Sequence, residues 1–316
     1  MKAAVLTEYG KVPEYLDYKD PKTTNAQQII VNPVASSIKR LDIGKAAGKH
    51  YTNFDPLPAV MGMDGVAKTD EGKLVFSMGL SGMMAEKAIV DKNRLVDVPA
   101  ELDPAIAAAM PNVLMGSDVA LTVRGNISEG DVVLVNGATG STGTMAVQMA
   151  KYRGASKVIA TGRNADKLES LKKIGADEIV VLSDSEAEIT QQIKKIYDQY
   201  PISIVVDYLW GKPAEMILSA LGQIQLARPL KFITIGQMAG PDINISSQLF
   251  RSRDLALIGS GIGSFEPIEF EKYLQTELPK LFRYAVAGKL ELDVNKFKLD
   301  EISEAWNAPG LPVILI

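Results

Sequence analysis

The sequence predicts an α/β protein in which a β-rich first part precedes a doubly wound parallel sheet. Three observations predict it. Residues 131–153, DVVLVNGATGSTGTMAVQMAKYR, read as strand, glycine turn and helix in direct succession. From Val113 onward, strand-length apolar runs alternate with segments of helical period, as successive βα units require. Before that point glycines and prolines cut the chain into short runs, which suits turns between antiparallel strands.

The turn is the centre of this reading. Val132 to Val135 is an unbroken apolar run of the kind that fills a strand buried on both faces. Gly137, Gly140 and Gly143 follow at intervals of three, and Ala138 holds the first glycine position of the usual G-x-G-x-x-G. A phosphate can approach a backbone closely only where no Cβ intervenes, and free N–H groups at a helix N-terminus attract its charge. Gly140 would allow that approach, and Gly143 would let the helix pack tightly on its strand. Thr139, Ser141 and Thr142 add hydroxyl donors. A plain tight turn is the simpler alternative, but the strand before and the helix after are the context a dinucleotide site needs.

In chain order, residues 1–6 (MKAAVL) read as an opening strand rather than a signal peptide. Gln28 to Val34 is expected as a strand ending near Pro33, with Ala35 to Asp42 as a polar connection. Residues 44–60 are expected as loop with a short helix. Short strands should follow at 73–76, 86–90 and 94–98, and Asp103 with Pro104 should start a helix. Parallel strands are then expected at 132–135, 158–161, 178–182, 202–208, 231–235 and 255–259, with helices at 144–153, 167–174, 187–200 and 213–221. The tail should hold one helix over 268–287, a short segment at 289–292, and a last strand at 313–316. Residues 1–112 completed by 263–316 would form one domain and residues 113–262 the other, with a cleft between them where ligands commonly sit.

Composition narrows the chemistry. The chain has 316 residues, a net charge of −4 and an ordinary apolar share, so neither nucleic acid nor an anionic membrane surface is an expected partner. No apolar run approaches the ~20 residues of a membrane span, and a cytoplasmic location is the default expectation. With no cysteine and His50 as the one histidine, disulfides and thiolate zinc sites are excluded, and carboxylates alone could hold a metal.

Several segments carry a resemblance. Residues 1–10 (MKAAVLTEYG), 35–42 (ASSIKRLD), 62–65 (GMDG), the turn at 136–143 and 285–292 (AVAGKLEL) are together similar to the medium-chain dehydrogenase/reductase superfamily, in its zinc-independent quinone oxidoreductase (zeta-crystallin-like) branch. The resemblance spans nearly the whole chain and implies a GroES-like catalytic domain beside a Rossmann cofactor domain. Residues 62–65 sit where zinc-dependent relatives carry glycine-histidine-glutamate. The chain departs from the branch at Lys39, where many relatives have asparagine, at Gly116-Ser117-Asp118, which replaces a nicotinamide-contacting threonine segment, and at His50.

At the end of the second cofactor-domain strand an NAD enzyme places an acid against the ribose hydroxyl. Residues 160–164 (ATGRN) have none, whereas Gly162 and Arg163, with Lys167 one turn on, suit the 2′-phosphate of NADPH. The resemblance carries further cofactor contacts onto Gly236, Gln237, Ser260 and Gly261. Asp207 reads as a structural acceptor in a tight connection. Without a metal Lewis acid, a quinone or an α,β-unsaturated carbonyl is the favoured hydride acceptor, because the charge delocalises onto oxygen. Lys39, His50 and Tyr51 are the candidates for stabilising or protonating that oxygen, although loop residues of these types are more often solvated or structural groups. The alternatives are a simple carbonyl reductase, or an NADPH-binding redox sensor or structural protein without turnover. A homodimer through the edge of the strand at 255–259 is also expected, unless the tail helix covers that edge.

Overall fold

The computed structural model describes residues 1–48, 54 and 56–316, so His50 and Tyr51 lie outside the described residues. The chain forms two compact units, residues 1–112 with 267–316 (unit 1) and residues 113–266 (unit 2).

Unit 1 opens with β1 (Lys2–Leu6), buried from Ala3 onward, which pairs antiparallel with β2 (Glu14–Asp17). β3 (Gln28–Ser37) runs straight through Pro33 and into the polar connection expected at 35–42. The ladder tolerates the proline because the register with the next strand shifts between Pro33 and Ala35, a bulge that spares the missing N–H. α1 (Arg40–Ala46) follows at once, and β4 (Ala59–Val60) returns to β1. β5 (Asp64–Lys68), β6 (Leu74–Met78), β7 (Ala88–Asp91) and β8 (Val96–Asp97) complete the antiparallel pairing around β3.

α2 (Pro104–Leu114) begins on its proline as expected and runs on into a π-helical stretch, Met115–Arg124, which nothing in the sequence pattern marks. The 21-residue run Pro104–Arg124 is long and apolar enough to cross a membrane, yet 67% of its most apolar window is buried inside the protein, as in a core helix.

Unit 2 then alternates strand and helix: β9 (Val132–Asn136), α3 (Ser141–Tyr152), β10 (Lys157–Gly162), α4 (Ala165–Ser170), β11 (Glu178–Val181), α5 (Glu186–Gln199), β12 (Ile204–Asp207), α6 (Gly211–Gly222), β13 (Leu230–Thr234), α7 (Ser247–Arg251) and β14 (Leu255–Gly259). All six strands are parallel, in the order β11-β10-β9-β12-β13-β14. Their burial follows from composition. Leu134, Ile159, Val205 and Phe232 are fully buried and pack with the apolar faces of α5 and α6, including Ile189, Ile193, Ile217 and Leu221. The order reverses between β9 and β12, and ligands of such sheets bind at the carboxyl ends beside that switch.

The tail returns to unit 1. The single helix expected at 268–287 is two, α8 (Pro267–Thr276) and α9 (Leu278–Val286), because Pro279 cannot continue a helix but suits a helix's first turn. The segment at 289–292 lies outside helix and strand. Instead β15 (Asn295–Lys298), α10 (Ile302–Ala305) and β16 (Pro312–Leu315) follow, with β16 paired antiparallel to β3 and parallel to β15.

Candidate functional site

Because the six strands of unit 2 are parallel, every segment expected to touch a cofactor leaves the sheet at its carboxyl edge. Thr139 to Thr142 follow β9, Gly162 ends β10 with Arg163 next, Gly236 and Gln237 follow β13, and Ser260 and Gly261 follow β14. α3 starts three residues earlier than expected, at Ser141, with Gly140 as its N-cap and no side chain capping it. The first N–H groups of a helix have no internal partners, so this end offers free donors with partial positive charge.

The glycines of the turn have separate jobs. Gly137 adopts φ +87°, which only glycine takes without strain. A Cβ at Gly143 would overlap the Gly137 carbonyl oxygen and come within 2.8 Å of the Ala138 Cα, so this glycine sets the contact of helix and strand. A Cβ at Gly140 would meet only the Gly137 oxygen, at 3.8 Å, leaving open space above the turn. Gly162 packs under Thr139, whose Cγ2 would lie 3.1 Å from an added Cβ. At Gly236 a Cβ would fall 2.5 Å from the Tyr208 carbonyl oxygen, so this glycine serves close packing of two connections.

Two further features suit a bound nucleotide. Ser260 is buried, and its hydroxyl has no hydrogen-bond partner among the described residues, a condition that costs free energy unless something else satisfies it. Arg163 and Lys167 are exposed and make no ion pair among the described residues. The backbone N–H of Lys167 is capped by the Asn164 side chain at 2.9 Å, which fixes the start of α4.

Beneath the turn lies a network that the sequence did not disclose. Asn136 and Asp207 end β9 and β12, and Thr161 lies one residue before the end of β10, all three in register. The Thr161 hydroxyl donates to Asn136 Oδ1 at 2.7 Å, and Asn136 Nδ2 donates to Asp207 Oδ1 at 2.6 Å. Asp207 also accepts from the N–H groups of Leu209 and Trp210 at 3.1 Å, which holds Trp210 at φ +55°. Burial pushes the Asp207 carboxyl up to about 6, against the pull of these donors. The structural role expected for Asp207 thus has named partners. Tyr208, pushed up by burial and by the neighbouring Asp207 charge, donates its hydroxyl to the Gly116 carbonyl at 2.6 Å. Asp118, in the segment that departs from the quinone oxidoreductase branch, accepts Arg153 in bidentate fashion at 2.8 and 2.5 Å.

In unit 1 the structure surrounds Lys39 with acids. Its ammonium lies 2.6 Å from Asp64 Oδ1, and both side chains are 7% exposed. Asp42 accepts the backbone N–H of Lys39 at 3.0 Å and of Met63 at 3.2 Å. Burial raises Asp42 to about 6, the Lys39 charge opposing and the Asp64 charge adding to the shift. Burial also raises Asp64, against the pull of Lys39. Lys45, nearly buried, places its ammonium 4.6 Å from the Phe54 ring centre and 3.4 Å from Met63 Sδ. Residues 35–42 and 62–65 each stood out in the sequence, but nothing in it joined them. The Lys39–Asp64 pairing spans 25 positions.

A glycine turn on the carboxyl edge of a 3-2-1-4-5-6 parallel sheet defines a dinucleotide-binding fold. Comparison with known proteins makes this more specific. Residues 141–277 match the zinc-binding dehydrogenase family. The chain is 28% identical to the probable NADPH-dependent quinone reductase tdiC of Emericella nidulans, over 99% of both chains. It is 32% identical to the chloroplastic NADPH-dependent alkenal/one oxidoreductase of Arabidopsis thaliana, over 56% of this chain and 51% of that protein. The quinone oxidoreductase of Thermus thermophilus, solved alone and with NADPH, superposes with a TM-score of 0.76 over all of both chains at 25% identity. These matches make the chain similar to the quinone oxidoreductase branch of the medium-chain dehydrogenase/reductase superfamily. The metal in the matched family's name does not fit the residues present. There is no cysteine, and among the described residues no three of His, Asp and Glu gather to hold an ion.

Proposed function

We propose that the protein is an NADPH-dependent oxidoreductase that passes hydride to a quinone or an α,β-unsaturated carbonyl without zinc. The observation that carries this reading is the carboxyl edge of unit 2, where an uncapped helix N-terminus, the open side of Gly140 and the unpartnered Ser260 hydroxyl occur together. The NADPH-dependent quinone and alkenal/one reductases among its relatives support the cofactor and the acceptor class.

NADPH supplies the hydride. Thr139, Gly140, Ser141 and Thr142 hold the pyrophosphate with hydroxyls and helix N–H groups. Arg163 forks onto the 2′-phosphate with Lys167 beside it, a pairing for which a planar guanidinium is suited. Gly162 keeps the edge of the turn open to the ribose. Gly236, Gln237, Ser260 and Gly261 line the nicotinamide half, where the Ser260 hydroxyl finds its partner. The Asn136–Asp207–Thr161 network fixes the strand ends from which these segments depart, so the site is held ready rather than assembled on binding.

Two copies of this chain pair in our reading as a homodimer through β14. Ala256 and Leu257 are exposed on that edge strand, and an unpaired apolar edge invites a second strand. A cytoplasmic location belongs to the same proposal.

Steady-state oxidation of NADPH with a panel of quinones and enals tests the function, with oxygen uptake followed to detect one-electron reduction. The reading requires acceptor-dependent NADPH loss with stoichiometric hydroquinone or saturated carbonyl. NADPH binding with no turnover of any acceptor would reject it.

A further inference from the structure

Gly116 is a glycine whose backbone has no need of one. It lies in the π-helical stretch Met115–Arg124, where glycine is less stable than alanine, and its φ is not positive. The residue is explained by the space it leaves. A Cβ there would fall 2.7 Å from Thr142 Cγ2 and 3.6 Å from Ile235 Cγ2. Thr142 stands in the first turn of α3, so its methyl group faces Gly116 from the glycine turn. The contact differs in kind from the one at Gly143. There an added Cβ meets backbone, whereas at Gly116 it first meets the end of one side chain. A threonine χ1 keeps to staggered positions, so pushing the methyl aside moves the hydroxyl with it. That hydroxyl has no partner among the described residues, although Thr144 on the same turn commits its own to the Ala138 carbonyl at 3.1 Å.

The π-helical stretch is fastened where it meets the turn. Tyr208, 8% exposed, donates its hydroxyl to the Gly116 carbonyl across 92 positions of sequence. The same residue gives its N–H to the Asn136 carbonyl at 3.1 Å and accepts the Met238 N–H at 3.3 Å. The far end is tied as well. Arg124 Nε donates to the Gly259 carbonyl at 2.9 Å, and Lys231 Nζ to the Gly125 carbonyl at 2.6 Å. π-Helical turns are rare and frequently occur at functional sites, and the position of this one is set by its ties.

We propose that Gly116, held by Tyr208, is a positioning residue for the cofactor: it seats the Thr142 methyl so that the Thr142 hydroxyl donates to the pyrophosphate. This rests on the NADPH reading above and lies wholly within unit 2. Thr142 touches the cofactor, and Gly116 and Tyr208 act through it. The pyrophosphate is common to NADPH and NADH, so this device sets affinity for both, whereas Arg163 distinguishes them.

The test titrates wild type, Gly116→Ala, Gly116→Ala with Thr142→Ser, Thr142→Val and Tyr208→Phe with NADPH and with NADH, following fluorescence. Melting of each ligand-free protein is measured first. Gly116→Ala should melt close to wild type, because the side chain it meets can turn away. It should bind both cofactors about tenfold more weakly, the lower end for one hydrogen bond to a charged group. Thr142→Ser removes the methyl that the new Cβ meets and keeps the hydroxyl, so the double variant should recover most of the lost affinity. A packing role alone would lower the melting temperature of Gly116→Ala and leave its affinity in place. Thr142→Val keeps the branched shape without the hydroxyl and should lose about as much as Gly116→Ala for both cofactors. Tyr208→Phe frees the Gly116 carbonyl and should weaken both cofactors, and unchanged affinity overturns the part given to Tyr208. Wild-type affinity in Gly116→Ala, or a double variant no tighter than Gly116→Ala, overturns the inference and leaves the cofactor reading intact. If Gly116→Ala does not fold, wild-type affinity in Thr142→Val overturns it instead. A wild type that binds neither NADPH nor NADH removes the cofactor reading and this inference with it.

Discussion

Each unit of this protein buries a carboxyl that is pushed up to about 6, and the two have different neighbours. Asp207 in unit 2 has only neutral hydrogen-bond partners among the described residues: the Asn136 amide and two backbone N–H groups. It closes a network of neutral donors and acceptors, so the strand ends beneath the glycine turn are held rigidly. Asp42 in unit 1 likewise accepts two N–H groups, but stands beside a buried ion pair, Lys39 with Asp64. Neutral dipoles surround the one carboxyl, and an ion pair stands beside the other. Burial raises both carboxyls, so a shifted pKa alone does not distinguish scaffold from chemistry.

The sharpest way to break the comparison on the unit 2 side uses the two turn glycines. Gly143→Ala places a Cβ against the Gly137 carbonyl and the Ala138 Cα, and should cost about 2–4 kcal/mol of stability. Gly140→Ala has ordinary dihedrals, φ −84° and ψ 160°, and room for the methyl group, so the ligand-free protein should melt close to wild type. NADPH should no longer raise its melting temperature. Thermal melts with and without NADPH read both effects, and equal behaviour of the two variants would dissolve the distinction between packing and binding glycines.

A smaller effect tests the platform. Asp207 holds a proton in the folded protein that it has lost in the unfolded chain between its ordinary pKa and about 6. The native state therefore binds more protons in that window, and the contribution of Asp207 to stability falls as pH rises through it. From about pH 5 to about pH 7.5 that loss is about 1 kcal/mol. Asp207→Asn should lack this component, so urea unfolding at the two pH values should show the variant gaining about that much on wild type as pH rises. Asp42→Asn should flatten the same window, because burial displaces Asp42 in the same direction. A variant that tracks wild type at both pH values would show that the carboxyl is not shifted.

The smallest effect concerns the edge of the platform. Leu257→Lys should change stability by less than about 0.5 kcal/mol, as surface substitutions do, while converting a dimer to monomers in sedimentation. A wild type that sediments as a monomer would remove the dimer.

The same contrast explains what could be read from the sequence. The platform's strands were legible because two-faced burial writes long apolar runs, and the turn because only glycine relieves the contacts at positions 137 and 143. The starts of helices shifted by a few residues, as at Ser141, since polar cap residues carry no apolar period. β3 outruns the expected end at Pro33 because a bulge that excuses a proline leaves no mark in the sequence. The ion pair of Lys39 and Asp64 was hidden for a different reason. Each residue alone has the composition of a loop, and their meeting depends on the pairing of β3 with β5 across an intervening helix. Asn136 and Asp207 were equally hidden, because register between parallel strands 71 positions apart is decided by the sheet and not by local spacing.

The central claim is a nucleotide site in unit 2 that prefers NADPH. It is tested most directly by titrating wild type and Arg163→Ala with NADPH and NADH, following fluorescence. The account predicts tighter binding of NADPH than NADH by wild type, with Arg163→Ala losing about 1.5–3 kcal/mol for NADPH and almost nothing for NADH. Equal affinity of wild type for the two cofactors, unchanged by the substitution, would contradict it.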